Sequence, residues 1–203
     1  MSQALQYLFS GVTSGSIYAI VAIGFNIIYS TTGIINFAQG EFVMLGGMTA
    51  VTLSRFMPLP VAIVGAVVVV MLVGGALEFG IFRRLRHPAV LPMIIITIGL
   101  SILIREAARH VWGEMSRPLP HFTGDECSSV RLLGAGISPQ VFWVLGTTAL
   151  AVTGLHLYLR YTPTGKAMRA CASNLEAATL AGIRVANMRT LAFVLSAGLG
   201  ALA

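Results

Sequence analysis

In the stretch STTGIINFAQGEF, Ser30 to Phe42, the side chains Asn36, Gln39 and Glu41 lie between two strongly apolar runs, with Gly33 and Gly40 beside them. Two amides and a carboxylate at this spacing offer hydrogen-bond donors and acceptors to a small polar solute. The glycines let the backbone leave the helical conformation and present further N–H and C=O groups. A plain polar loop between two spans is the simpler reading, but it has no use for Ile34, Ile35 and Phe37 among the polar residues. Polar backbone at membrane depth is tolerated only where it faces protein or a water-filled cavity. The expectation is a discontinuous helix in which Gly33, Asn36, Gln39, Gly40 and Glu41 line a solute path.

A second group lies between Lys166 and Thr190. Ser173-Asn174-Leu175-Glu176 has the spacing of a capping box, with Ser173 as N-cap and Glu176 reaching back. Leu175, Ala178, Thr179 and Gly182 are expected on one face, with Gly182 closing the helix. A helix this short and rich in alanine has too little apolar surface to fold for its own sake. It either lies against a protein partner or rests on lipid headgroups through Lys166, Arg169, Arg184 and Arg189.

Enzymatic chemistry finds no support. Pro163-Thr164-Gly165-Lys166 resembles the end of a phosphate loop, but position 160 is Arg and position 167 is Ala, so the required G-x-x-x-x-G-K-[ST] fails twice. Neither a Gly-x-Ser-Gly turn nor H-E-x-x-H occurs. His87, His110, His121 and His156 are widely spaced, mostly at the ends of apolar runs, and read as interfacial side chains. Cys127 and Cys171 fall in different polar segments and form no metal-ligand spacing. No catalytic residue and no metal ligand is assigned.

These groups must be positioned by a membrane-embedded framework. The 203 residues are 56% hydrophobic and 10% charged, far below the roughly one quarter charged of soluble domains. The mean hydropathy of +0.85 agrees. The net charge of +6 reflects topology rather than nucleic acid, because the basic residues cluster in short segments between spans. Apolar runs long enough to cross lie at 7–29, 60–80, 90–112 and 140–159, and 34–57 is long enough but broken by the polar cluster. The last run, 190–203, covers only about 21 Å and is expected to be an incomplete span of a longer protein. Arg83, Arg84 and Arg86 on one side of a span, and the basic residues of 160–189 two spans later, mark the cytoplasmic face. The loop from Gly113 to Pro139 and the N-terminus are then outside, and Glu41 and Glu78 fall near cytoplasmic ends. Arg105, Glu106 and Arg109 read as a charged cluster snorkelling to the outer end of the fourth long run. GxxxG at Gly11 and Gly15, with Gly46-Gly47 and Gly74-Gly75, offers close helix contacts. The fold expected is one all-α transmembrane domain over 1–203, a polytopic bundle with one broken helix and a short cytoplasmic helix in 160–189.

Three separated segments then match one family in order: GSIYAIVAIGFNIIYSTTGIINFAQGEFVMLGG, the ITIGLSI run from Ile96 to Ile102, and TGKAMRACASNLEAATLAGI. Glu176 to Gly182 also fits the E-A-A-x3-G core of importer membrane subunits. The chain resembles the LivH-type membrane permeases of branched-chain amino-acid ABC importers, whose members continue past this C-terminus. The resemblance implies that Glu176, Ala177, Ala178 and Gly182 dock a cytoplasmic ATPase, although the usual Ile-x-Leu-Pro continuation is absent. It also implies a second, homologous permease subunit, two ATPase subunits that hold ATP and Mg, and an extracytoplasmic solute-binding protein in a bacterial inner membrane. No cofactor is expected in this chain. Leucine, isoleucine and valine are the implied solutes, with urea or short amides as the alternative within the family. An ion-coupled carrier or channel working without an ATPase is the alternative outside it.

Overall fold

The computed structural model describes residues 2–84, 90–113, 130–132, 135–137 and 139–203. In chain order the helices are α1 (Ser2–Thr32), α2 (Gln39–Leu53), α3 (Leu59–Gly80), α4 (Val90–Trp112), α5 (Gln140–Tyr161), α6 (Pro163–Ser173), α7 (Leu175–Leu180) and α8 (Val185–Leu202). A single 3-10 turn, Phe82–Arg84, follows α3. Between α4 and α5 lies a small antiparallel ribbon, β1 (Val130–Leu132) and β2 (Ala135–Ile137), in which Arg131 pairs with Gly136. Arg86, His87, Arg117, His121 and Cys127 lie outside the described residues. The architecture is the expected all-α polytopic bundle: α1, α3, α4, α5 and α8 are each long and apolar enough to cross a membrane.

Helix α8 sits at the centre, packed against α1, α2 and α3. Its buried face, Ala192, Phe193, Ser196, Ala197, Gly198 and Gly200, is mostly small, so neighbouring backbones approach closely. A Cβ placed on Gly74 of α3 would lie 2.5 Å from the Ala197 methyl, and one on Gly46 of α2 would lie 2.5 Å from Cα of Ala201. Gly11 and Gly15 have nothing within 4 Å of such a Cβ, so the GxxxG of α1 makes no close contact among the described residues. Phe193 and Phe82 stack with ring centroids 4.8 Å apart, holding the end of α3 against α8. Helix α5 lies at the periphery with no buried residue.

Helix α8 begins at Val185, five residues before the apolar run at Thr190. Charge usually ends a span; here Arg189 stays inside because its Nε donates to Glu78 Oε1 of α3 at 2.8 Å. The Thr190 hydroxyl donates to the other carboxylate oxygen at 2.6 Å, and Glu78 is fully buried. The pair joins α3 to α8 beside the segment leading to α7. The Pro163-Thr164-Gly165-Lys166 run is the start of a helix: Thr162 caps α6 by accepting from Gly165 N–H at 3.0 Å, and Pro163 occupies the first turn. Gly165 is pressed against the backbone of Tyr158 and Leu159, where no side chain fits.

Candidate functional site

The break between α1 and α2 begins at Gly33, whose φ of +69° lies in the left-handed region that turns the chain out of α1. Thr32 supports the exit, donating its hydroxyl to Ile28 C=O at 2.7 Å and accepting from Ile34 N–H at 3.1 Å. Residues 33–36 lie in neither helix nor strand, and Asn36 Oδ1 then accepts from Ala38 N–H at 3.1 Å, making a local turn that starts α2 at Gln39. The carbonyl of Ile35, which no helix can satisfy here, accepts from the Thr97 hydroxyl of α4 at 3.3 Å. Hence the break is held by side chains from α1 and α4 rather than by solvent.

Each of the three polar side chains is buried. Gln39 and Ser196 of α8 bond reciprocally: Ser196 donates its hydroxyl to Gln39 Oε1 at 2.6 Å, and Gln39 Nε2 donates to Ser196 C=O at 3.2 Å. Gly24 of α1 leaves the room, since a Cβ there would meet Gln39 Nε2 at 2.6 Å. Glu41 accepts from Ser101 at 2.8 Å and from Arg105 Nη2 at 2.7 Å, both on α4. Asn36 is 1% exposed, and its Nδ2 is the one buried side-chain polar atom among the described residues without a partner. Gly33 and Gly40 lie on the exposed side of the break, as does Phe37, about half exposed. The structure thus gathers the predicted residues at one discontinuity, with the polar side chains turned into the bundle and the glycines outward.

Glu41 is not near a cytoplasmic end, contrary to the sequence expectation. Trp112 Nε1 of α4 donates to the Thr52 hydroxyl of α2 at 2.7 Å, which fixes the two helices level with each other near the outer face. At 1.5 Å per residue, Arg105 lies about 10 Å and Glu41 about 16 Å below that level, in the middle of a ~30 Å hydrocarbon core. The break explains the difference, because the chain between Thr32 and Gln39 is not helical and its rise cannot be counted at the helical value. The expected outer charge cluster divides accordingly. Arg109 and Glu106 pair at 3.0 Å, both more than half exposed, whereas Arg105 reaches down to Glu41. The signal for that pair was available in the sequence, since an arginine well inside a span needs an acid at similar depth.

The second group is also repositioned. Ser173 is the last residue of α6, and Asn174 is the N-cap of α7, accepting from Ala177 N–H at 3.0 Å. Asn174 serves because its extended backbone, φ −156°, aims the short amide at the first turn. Gly182, φ +82°, closes α7 in a Schellman arrangement: its N–H donates to Thr179 C=O and that of Ile183 to Ala178 C=O, each at 3.0 Å. Ala178 does not share an outward face with Leu175, Thr179 and Gly182. It is 4% exposed, packed in the cluster of Ile27, Met168, Cys171 and Met188 that fastens α7 to the bundle. The same burial pushes the Cys171 thiol pKa up. Glu176, Ala177 and Gly182 remain outward, together with Leu180, which is 90% exposed. Pattern reading passed over Leu180 because an apolar side chain in a helix is normally assigned to the core. Asn174→Ala is expected to loosen α7 by about 1 kcal/mol, with Ser173→Ala near neutral. Amide hydrogen exchange over 175–183 measures both, and equal protection in the two variants would contradict the assignment of the cap.

Residues 7–203 match the family described as branched-chain amino acid transport system / permease component. The high-affinity branched-chain amino acid transport system permease protein LivH of Escherichia coli (strain K12) is 32% identical over 213 residues, covering 98% of this chain and 68% of that protein. The corresponding BraD of Pseudomonas aeruginosa is 33% identical, covering 98% and 69%. A probable branched-chain amino acid transport permease protein LivH of Methanocaldococcus jannaschii is 27% identical over 93% of this chain and 61% of its own length. No solved structure matches.

Proposed function

The chain belongs to the permease components of branched-chain amino acid transport systems, and from that premise we propose that it forms half of the membrane passage of an ATP-driven importer for leucine, isoleucine and valine. The observation that carries the reading is the discontinuity at Gly33–Ala38, with an amide and an ion pair held beside it near the middle of the membrane. Broken helices at this depth are where transporters place their solute contacts. Gly33, Asn36, Gln39, Gly40 and Glu41 belong to that passage. A homologous second permease completes it, and an extracytoplasmic binding protein delivers the solute.

The energy comes from two cytoplasmic ATPase subunits, which hold ATP and Mg. Docking falls to α7, through Glu176, Ala177, Gly182 and the exposed Leu180, with Ala178 as the buried anchor of that surface. A capped and internally fastened helix of six residues presenting a nearly bare leucine is better suited to a protein groove than to free solution. The system resides in the bacterial inner membrane.

The test is uptake into proteoliposomes carrying the full-length protein with its second permease, both ATPases and the binding protein. Leucine accumulation that requires ATP is expected. Accumulation without ATP would establish an ion-coupled carrier or channel instead, and ATP-driven uptake of urea with no amino acid would place the protein with the amide transporters.

A further inference from the structure

The Glu41–Arg105 pair does more than neutralise charge. Glu41 is enclosed, its side chain 7% exposed, whereas the Arg105 side chain is 57% exposed on the surface of this chain. Of its donors, only Nη2 has a protein acceptor among the described residues. Arginines near helix ends usually lift their guanidinium to the headgroups. Arg105 instead turns inward to a carboxylate some 10 to 16 Å below the Trp112–Thr52 level, using the helical rise given above. A half-bare guanidinium at that depth is costly against lipid, so this face of α4 borders water or protein. Ile98 and Ile102, seven and three residues earlier on the same helical stripe, are also exposed.

We propose that Arg105 reads the α-carboxylate of the transported amino acid on its open N–H edge, while Glu41, enclosed behind it, holds the guanidinium in position. Ser101, which donates to Glu41 Oε1, holds the carboxylate in place. An aliphatic side chain then lies along Ile102 and Ile98. Planar guanidinium–carboxylate recognition is specific to arginine, so lysine is a poor replacement. This assignment rests on the reading that the solute is an amino acid.

The experiment measures uptake of leucine, isoleucine, valine, other amino acids and urea by the fully assembled transporter, wild type against Arg105→Gln, Arg105→Lys and the exchange Glu41→Arg with Arg105→Glu. Assembly is checked by co-purification of all subunits. Arg105→Gln is expected to lower leucine uptake at least about tenfold, the worth of a charged hydrogen bond. Arg105→Lys retains the ion pair, and with it the fold, and is expected to raise the KM for uptake at least about fivefold through loss of the fork. The exchanged pair is expected to assemble without transporting. If Arg105→Lys transports as wild type does, or if the exchange restores transport, the pair is structural and the proposal is overturned. If the wild type carries leucine normally in those cases, the proposed function stands without it. If the wild type carries urea and no amino acid, both fall.

Discussion

Arg189→Ala is expected to destabilise the protein by about 3–5 kcal/mol, the usual effect of leaving a buried charge without its partner. Glu78 is fully buried, and after the substitution its carboxylate retains only the Thr190 hydroxyl, bonded at 2.6 Å. The close contact of Gly74 with Ala197 resists local opening between α3 and α8. The detergent-solubilised protein should melt well below wild type, with lower membrane yield. Replacing both partners, Glu78→Leu with Arg189→Leu, should recover most of the loss, since a well-packed apolar pair removes the stranded charge. An unchanged melting temperature for Arg189→Ala would show that the ion pair does not join the two helices.

Leu180→Glu is expected to uncouple transport from ATP while leaving the permease folded. The side chain is 90% exposed, so its replacement should change stability by no more than about 0.5 kcal/mol. If α7 seats in an ATPase groove, a carboxylate there should weaken docking by at least about 2 kcal/mol, roughly thirtyfold. Co-purification of the ATPase and leucine uptake should fall together. Ala178→Arg provides the contrast: an arginine forced among Ile27, Met168, Cys171 and Met188 should lower the melting temperature even with no ATPase present. Normal ATPase retention by Leu180→Glu would remove α7 from the docking surface.

The sequence made the membrane class, the long helices and the position of the break legible, because each depends on composition or on residues adjacent in the chain. Gly33 announces a left-handed turn, and Gly182 a helix end, without knowledge of the rest of the fold. What stayed hidden depends on depth and on distant partners. The depth of Glu41 is not legible because a string of residues does not say how far the chain travels between Thr32 and Gln39, where it is not helical. Arg105 was grouped with Glu106 and Arg109 by spacing along one helix, whereas its partner is 64 residues away. Ser173 and Asn174 both suit an N-cap by type, and only the extended backbone at Asn174 decides between them. Ala178, expected on the outward face, turns inward because α7 is too short for an apolar pattern to orient it.

The reciprocal bond between Gln39 and Ser196 has a consequence for biogenesis. The two residues are 157 positions apart. At the usual 5–20 residues per second of synthesis, Gln39 enters the membrane roughly 8–30 seconds before Ser196 is made. Glu41 likewise waits for Arg105, and Glu78 for Arg189, 111 positions later. The early spans therefore pass through a period in which an amide and two acids lack their final partners, when insertion chaperones and membrane proteases have access to them. Helix α8 ends that period by supplying Ser196 and Arg189 together.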